Sequence, residues 1–279
     1  MSRTTLALAA SSFAALAMTI TSAAGAAPAP TGEGETPTPT DEARSAGIEE
    51  PGDAAMGWKQ RDVRTRTQAK AAAPSGVPGI DVSGWQGQVD WAGQYADGKR
   101  FAYVKATEGT NYTSDDFGHQ YNGSYDAGMI RGAYHFALPN ASSGADQANY
   151  FVDNGGGWSN DGKTLPGALD MEWNPYGATC FGKSQAQMQS WISDFLETYK
   201  SRTGRYPAIY TNTNWWNECV GHDTSFGDKS PLWIARYGDS AGTLPTGWGT
   251  HTFWQYTDKP IDQNVFNGTM DRLEVLAKG

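Results

Sequence analysis

The spacing of apolar residues changes character twice along the chain. After Arg3 an apolar run extends from Leu6 to Ile20, interrupted by Ser11 and Ser12, and ends in small residues around Ala24-Gly25-Ala26. A basic start, a short apolar stretch and an A-x-A-like site make residues 1–26 a secretory signal peptide. The run falls short of the roughly 20 apolar residues that span a bilayer. Beyond residue 78, eight short apolar segments recur, each bounded by Gly, Pro or Asn: 79–83, 101–106, 132–137, 167–172, 208–212, 232–236, 252–256 and a weaker one at 261–265. They read as strands. Helical periods separate the early ones. The clearest covers 184–202, where Met188, Trp191, Ile192, Phe195, Leu196 and Tyr199 fall at i, i+3, i+4, i+7, i+8 and i+11. Ser184 with Gln187 forms a capping box at its start, and Gly204 ends it in the left-handed conformation.

Strand–helix alternation predicts an α/β fold of barrel type. The alternation stops between Tyr237 and His251, where Gly238, Gly242, Pro245, Gly247 and Gly249 leave no helical period. A parallel crossover needs about a dozen residues or more and normally a helix. The expectation is therefore an irregular, incomplete (β/α) barrel: about five parallel βα units, then a β-rich antiparallel closing section. Residues 78–279 form this one domain. The stretch 27–77 is different, with Pro, Thr and Gly dominating its first part and Trp58 its only large aromatic. It reads as a disordered linker or a propeptide.

Composition narrows the function. The chain of 279 residues carries 21 Lys+Arg against 30 Asp+Glu, a net charge of −9, which disfavours nucleic acid as a partner. With 11 Trp, 13 Tyr and 10 Phe it has ample material for a core and for ligand-facing aromatic surfaces. Export implies an oxidising environment, in which Cys180 and Cys219 read as one disulfide. The competing metal-site reading has no His or second Cys pair at ligand spacing.

Candidate chemistry gathers at strand ends. In Leu169-Asp170-Met171-Glu172-Trp173 the two acids stand at i and i+2, which on a strand puts both on one face, roughly 6–7 Å apart at Cα. Paired carboxyls titrate as a unit, with one able to hold a proton near neutral pH. Glycosidic cleavage asks for such a pair, one acid to protonate the leaving oxygen and one carboxylate to stabilise the cationic sugar. The competing reading is a pair of solvated acids on an edge strand. Asp81 and Asp262 end up at comparable places in the first and last segments and are candidates to meet the pair at a barrel rim. Taken singly, Asp81 serves as readily in a turn or cap. Trp85, Tyr134, Trp173, Tyr210 and Trp254 lie at or just past strand ends and are candidates to line a sugar groove, although core packing competes for each. His135, mid-strand, reads as a satisfied core histidine. Glu108 reads equally as a groove residue or a solvated loop acid.

The ordered set G-I-D-V-S-G-W-Q (79–86), A-L-D-M-E-W (168–173), Y-T-N (210–212), W-I-A-R-Y (233–237) and W-Q-Y (254–256) resembles glycoside hydrolase family 25, the secreted bacterial muramidases. The resemblance covers essentially all of 78–279. It implies cleavage of the β-1,4 bond between N-acetylmuramic acid and N-acetylglucosamine in peptidoglycan, on an irregular (β/α) barrel, by an extracellular monomer with no metal or cofactor and no membrane contact after signal cleavage. It implies Glu172 as general acid/base, Asp170 as the residue stabilising the 2-acetamido group or the cation, and Asp81 and Asp262 as further acids of the site. The cysteine pair resembles one found in some members. By analogy with other D-x-E enzymes, retention through the substrate's own acetamide is the favoured mechanism over a covalent intermediate. The alternatives are a non-catalytic glycan-binding barrel and a chitinase-like hydrolase.

Overall fold

A computed structural model describes Met1 and residues 37–60, 74–223 and 225–279. The expected signal segment, Met1 apart, lies outside the described residues. All that follows belongs to one compact unit, Thr36–Gly279.

Eight strands close into a barrel. They are β1 (Val77–Val82), β2 (Phe101–Glu108), β4 (Ile130–Phe136), β5 (Ala168–Met171), β6 (Ala208–Thr211), β7 (Leu232–Ala235), β8 (Phe253–Thr257) and β9 (Gln263–Phe266). A two-residue strand, β3 (Tyr112–Thr113), adds to the end of β2. In space the order is β1-β2-β4-β5-β6-β7-β8-β9, with β9 returning to β1. Five crossovers carry helices: α2 (Trp91–Ala96), α3 (Phe117–Asp126), α4 (Gly144–Phe151), α5 (Gln185–Thr203) and α6 (Thr213–Cys219). Strands β2, β5, β6 and β7 are buried at every position, as parallel strands covered on both faces should be.

Helix α5 forms as its sequence dictates. The six apolar residues named above are all buried, Ser184 and Gln187 make the reciprocal capping bonds, and Gly204 closes the helix at φ 80°. Its apolar face packs with Leu169, Met171 and Ile209 and so backs the strands that carry the acids.

The β-rich closing section is present, but one join in it differs from expectation. β8 runs parallel to β7, and within this section β9 alone is antiparallel to both of its neighbours. The connection 236–252 is irregular as its glycines require, yet it makes a parallel crossover without a helix. Ala241, Leu244 and Trp248 from this connection cover Leu232, Ile234 and Trp254 on the outer face of the sheet. Chain length and apolar cover are what the crossover needs, and irregular backbone supplies both.

The barrel interior is filled by Phe101, Tyr103, Tyr134, Tyr210, Trp233 and Phe253, among others. Helix α7 (Met270–Lys278) adds Leu273 and Ala277 to this same cluster. Residues 37–60, within the stretch read as linker or propeptide, lie against the C-terminal ends of the strands. They include α1 (Asp41–Ser45), and Ala43, Ile48, Ala54, Met56 and Trp58 are all buried. No helix among the described residues is long and apolar enough to cross a membrane.

Candidate active site

Strand β5 sets the centre. Asp170 pairs in register with Phe136 on β4 and Tyr210 on β6, and Glu172 follows the strand's last residue. Both carboxyls are buried. Neither oxygen of Asp170 takes a hydrogen bond from any described residue. Burial first, then the charge of Glu172, push the Asp170 carboxyl well above the usual carboxylate range, while Lys105 pulls the other way. The edge-strand reading, with both acids in water, is not what the fold produces.

Asp81, on β1, is held by a directional network. Its Oδ2 accepts from Gln255 Nε2 at 3.0 Å and from Asn264 Nδ2 at 2.6 Å. The Gln255 amide is oriented by the hydroxyls of Tyr210 (2.7 Å) and Tyr237 (2.8 Å), both donating to its Oε1. Asn264 is oriented likewise by Trp233 Nε1, 2.8 Å from its Oδ1. Asp262 is buried in the β8–β9 hairpin, and its backbone oxygen accepts from Asp81 N. The Tyr134 hydroxyl feels these acids together: burial, then Asp81, Asp170 and Asp262, push it well above its ordinary value. The four acids singled out in the sequence therefore converge at one end of the barrel.

Of the five candidate aromatics, Tyr134 and Tyr210 stand inside the barrel beneath the acids. Trp85 is 47% exposed just after β1, and Trp173 is half-buried beside Glu172. Trp254 is a correction. Strand alternation turns Gln255 inward toward Asp81, so Trp254 faces outward, packed with Ile234 and Tyr256 and donating from Nε1 to Arg236 O. It is a shell residue, not a groove residue.

Glu108 is not a solvated loop acid. It is fully buried, 2.6 Å from Lys105 Nζ, and accepts from the Tyr176 hydroxyl. Lys105, Gln255 and Asn264 were not singled out in the sequence. Their common signal is a polar residue inside a run otherwise wholly buried, as in Phe101-Ala102-Tyr103-Val104-Lys105-Ala106. His135 is a satisfied core residue: Nδ1 lies 2.7 Å from Thr107 Oγ1 and Nε2 2.9 Å from Gln147 Oε1. Cys180 and Cys219 form the disulfide, tying the loop after β5 to the end of α6. Glu218 lies close by, but sulfurs bonded to each other offer no thiolate to a metal.

Two buried carboxyls standing two residues apart at the C-terminal mouth of a barrel suit one reaction class above others, acid-assisted cleavage of a glycosidic bond. Fold and site thus define a glycoside hydrolase. Comparison with known proteins narrows the class: the model of glycosyl hydrolases family 25 matches residues 80–265, and the chain belongs to that family. It is 51% identical over 244 residues to lysozyme M1 of Streptomyces globisporus, covering 81% of this chain and 82% of that one. It is 47% identical over 210 residues to the N,O-diacetylmuramidase of a Chalaropsis species, covering 73% of this chain and all of the relative. Among solved structures, a muramidase from Acremonium alcalophilum is 59% identical with a TM-score of 0.72, covering 73% of this chain and 99% of that one.

Proposed function

We propose that the barrel hydrolyses the β-1,4 bond between N-acetylmuramic acid and N-acetylglucosamine in peptidoglycan, with Glu172 as general acid/base and Asp170 as its partner. The observation that carries the role split is the setting of Asp170, which is buried and without a hydrogen-bond donor among the described residues. An acetamide N–H of the substrate supplies the donor that Asp170 lacks. Held there, the acetamide carbonyl is turned toward the anomeric carbon, and Glu172 protonates the departing oxygen. Glu172 then deprotonates the water that completes hydrolysis with retention. Asp81 is positioned by Gln255 and Asn264 to lend negative charge to the same pocket, and Asp262 adds to it.

The relatives named as N,O-diacetylmuramidases, 47% and 48% identical, extend the proposed substrate to muramic acid carrying an O-acetyl group. The signal-like start of the chain supports an extracellular site of action, with the protein working as a monomer and contacting neither nucleic acid nor membrane.

Clearing of a bacterial wall suspension tests the reading, with the full chain and residues 74–279 assayed side by side. The expected result is loss of turbidity with residues 74–279, abolished by Glu172→Gln. Tight sedimentation with the walls but no clearing would instead identify a glycan-binding barrel.

A further inference from the structure

Residues 37–60 sit on the functional residues themselves. The Gly57 N–H donates to Glu172 Oε1 at 2.7 Å and so stands against the carboxyl from which a glycosidic oxygen would have to accept a proton. The next residue, Trp58, is buried and donates from Nε1 to Trp173 O at 2.9 Å. Met56 is fully buried within the barrel-interior cluster that also holds Tyr134 and Tyr210. Farther along the mouth, Lys105 Nζ donates to Gly52 O at 2.9 Å and to Ala54 O, and Trp85 Nε1 donates to Asp53 O.

The backbone of this segment is fitted to the site. Gly57 has φ +74°, where a side chain is strained, and a Cβ there would lie 2.3 Å from the Tyr237 hydroxyl. A Cβ on Gly52, at φ +101°, would lie 2.1 Å from the Tyr112 ring. At its other end the segment is pinned by Thr40 N donating to Pro175 O at 2.9 Å, in the loop after β5. Segment and substrate cannot occupy the same space, because Glu172, Lys105 and Trp85 at the mouth are already hydrogen-bonded to the segment's backbone.

We propose that residues 37–60 are an inhibitory propeptide: they occupy the glycan site in cis, and the enzyme becomes active when cutting of the chain between this segment and the barrel releases them. This rests on the muramidase reading of the same site. The strength of the block follows from tethering. A covalent link presents the segment at about millimolar effective concentration, so a segment that binds at about 10 µM as a free peptide would suppress turnover about 100-fold in cis. After cutting, dilution to nanomolar enzyme releases it.

The test uses the full chain with a site for a specific protease inserted between residues 60 and 74, assayed on wall suspensions before and after cutting at nanomolar concentration. Turnover should rise by about 100-fold on cutting, and a synthetic peptide of residues 37–60 should then inhibit in competition with substrate. In the uncut chain, Gly57→Pro and Trp58→Ala should each raise turnover without cutting. The solved muramidase matched over 99% of its own length by 73% of this chain indicates that a barrel folds without such a segment, so residues 74–279 serve as the reference for full activity. If the reference and the uncut chain clear walls equally fast, the inhibitory role is overturned. If the reference itself does not clear walls, the muramidase reading fails instead, and the two outcomes are not confused.

Discussion

His135 gives the account a quantitative test in the wall behind the catalytic strand, where it pairs in register with Leu169. Its tautomer is fixed by Gln147, whose Nε2 donates to Leu138 O and whose Oε1 accepts from Leu138 N, so Oε1 can only accept from the imidazole Nε2–H. In the neutral ring, Nδ1 then accepts from Thr107. Burial brings its pKa from 6.5 down to about 4, with Gln147 opposing that and Lys105 adding to it. A base depressed on folding binds fewer protons in the native state than in the unfolded one between these two values. Stability conferred by the neutral ring is therefore complete above pH 6.5 and is lost as the pH falls toward 4. At about 1.4 kcal/mol per pH unit crossed, the loss from this one group between pH 7 and pH 4.5 is about 2.5 kcal/mol. Carboxyls titrate in the same range, and Asp170 has the opposite sign: raised on folding, it loses stability as the pH rises. Comparison with His135→Gln cancels them. Urea unfolding of both proteins should show the variant less stable at pH 7, and the gap should narrow by about 2.5 kcal/mol at pH 4.5. A gap that stays constant, or widens on acidification, would refute the picture of a buried ring held neutral.

Replacing Cys180 and Cys219 by Ser should cost about 4 kcal/mol in urea unfolding, since the bridge spans 39 residues; a loss below about 1 kcal/mol contradicts the chain-entropy estimate. In residues 74–279, Glu172→Gln should lose roughly 10²-fold or more in turnover on walls but recover most of its first-step rate on an aryl glycoside, whose leaving group needs little protonation. Asp170→Asn should not recover, and equal rescue of both would reverse or void the role split. Trp254→Ala should lower stability by about 3–5 kcal/mol, as for other buried aromatics, while KM stays unchanged; a raised KM would return Trp254 to the groove.

What the sequence made legible follows its periodicities. The eight strands were readable as short apolar runs bounded by Gly, Pro or Asn, helix α5 because apolar residues recur at 3.6, and the acids because Asp170 and Glu172 stand two apart in one such run. The parallel run of β8 was not, because strand direction is set by how far an irregular connection travels, and 236–252 carries no period to reveal it. Trp254 went astray for want of one residue of register, since only pairing data say that Gln255 rather than its neighbour points inward. Lys105, Gln255 and Asn264 were hidden among apolar neighbours, where one polar residue signals a buried function but not its partner. Least legible was the fit of residues 37–60 to the cleft. Its anchors are backbone N–H and C=O groups at Gly57, Gly52, Asp53 and Ala54, which every sequence has and none displays.

Which bond is cut, and by which residue, can be read directly from the products. Purified peptidoglycan digested with residues 74–279, reduced with borohydride and analysed by mass spectrometry, reports the sugar at each new end. N-acetylmuramitol is expected at the new ends, formed by the wild-type barrel and absent from the Glu172→Gln digest. New ends of N-acetylglucosaminitol, or muramitol ends formed equally by the variant, would contradict it.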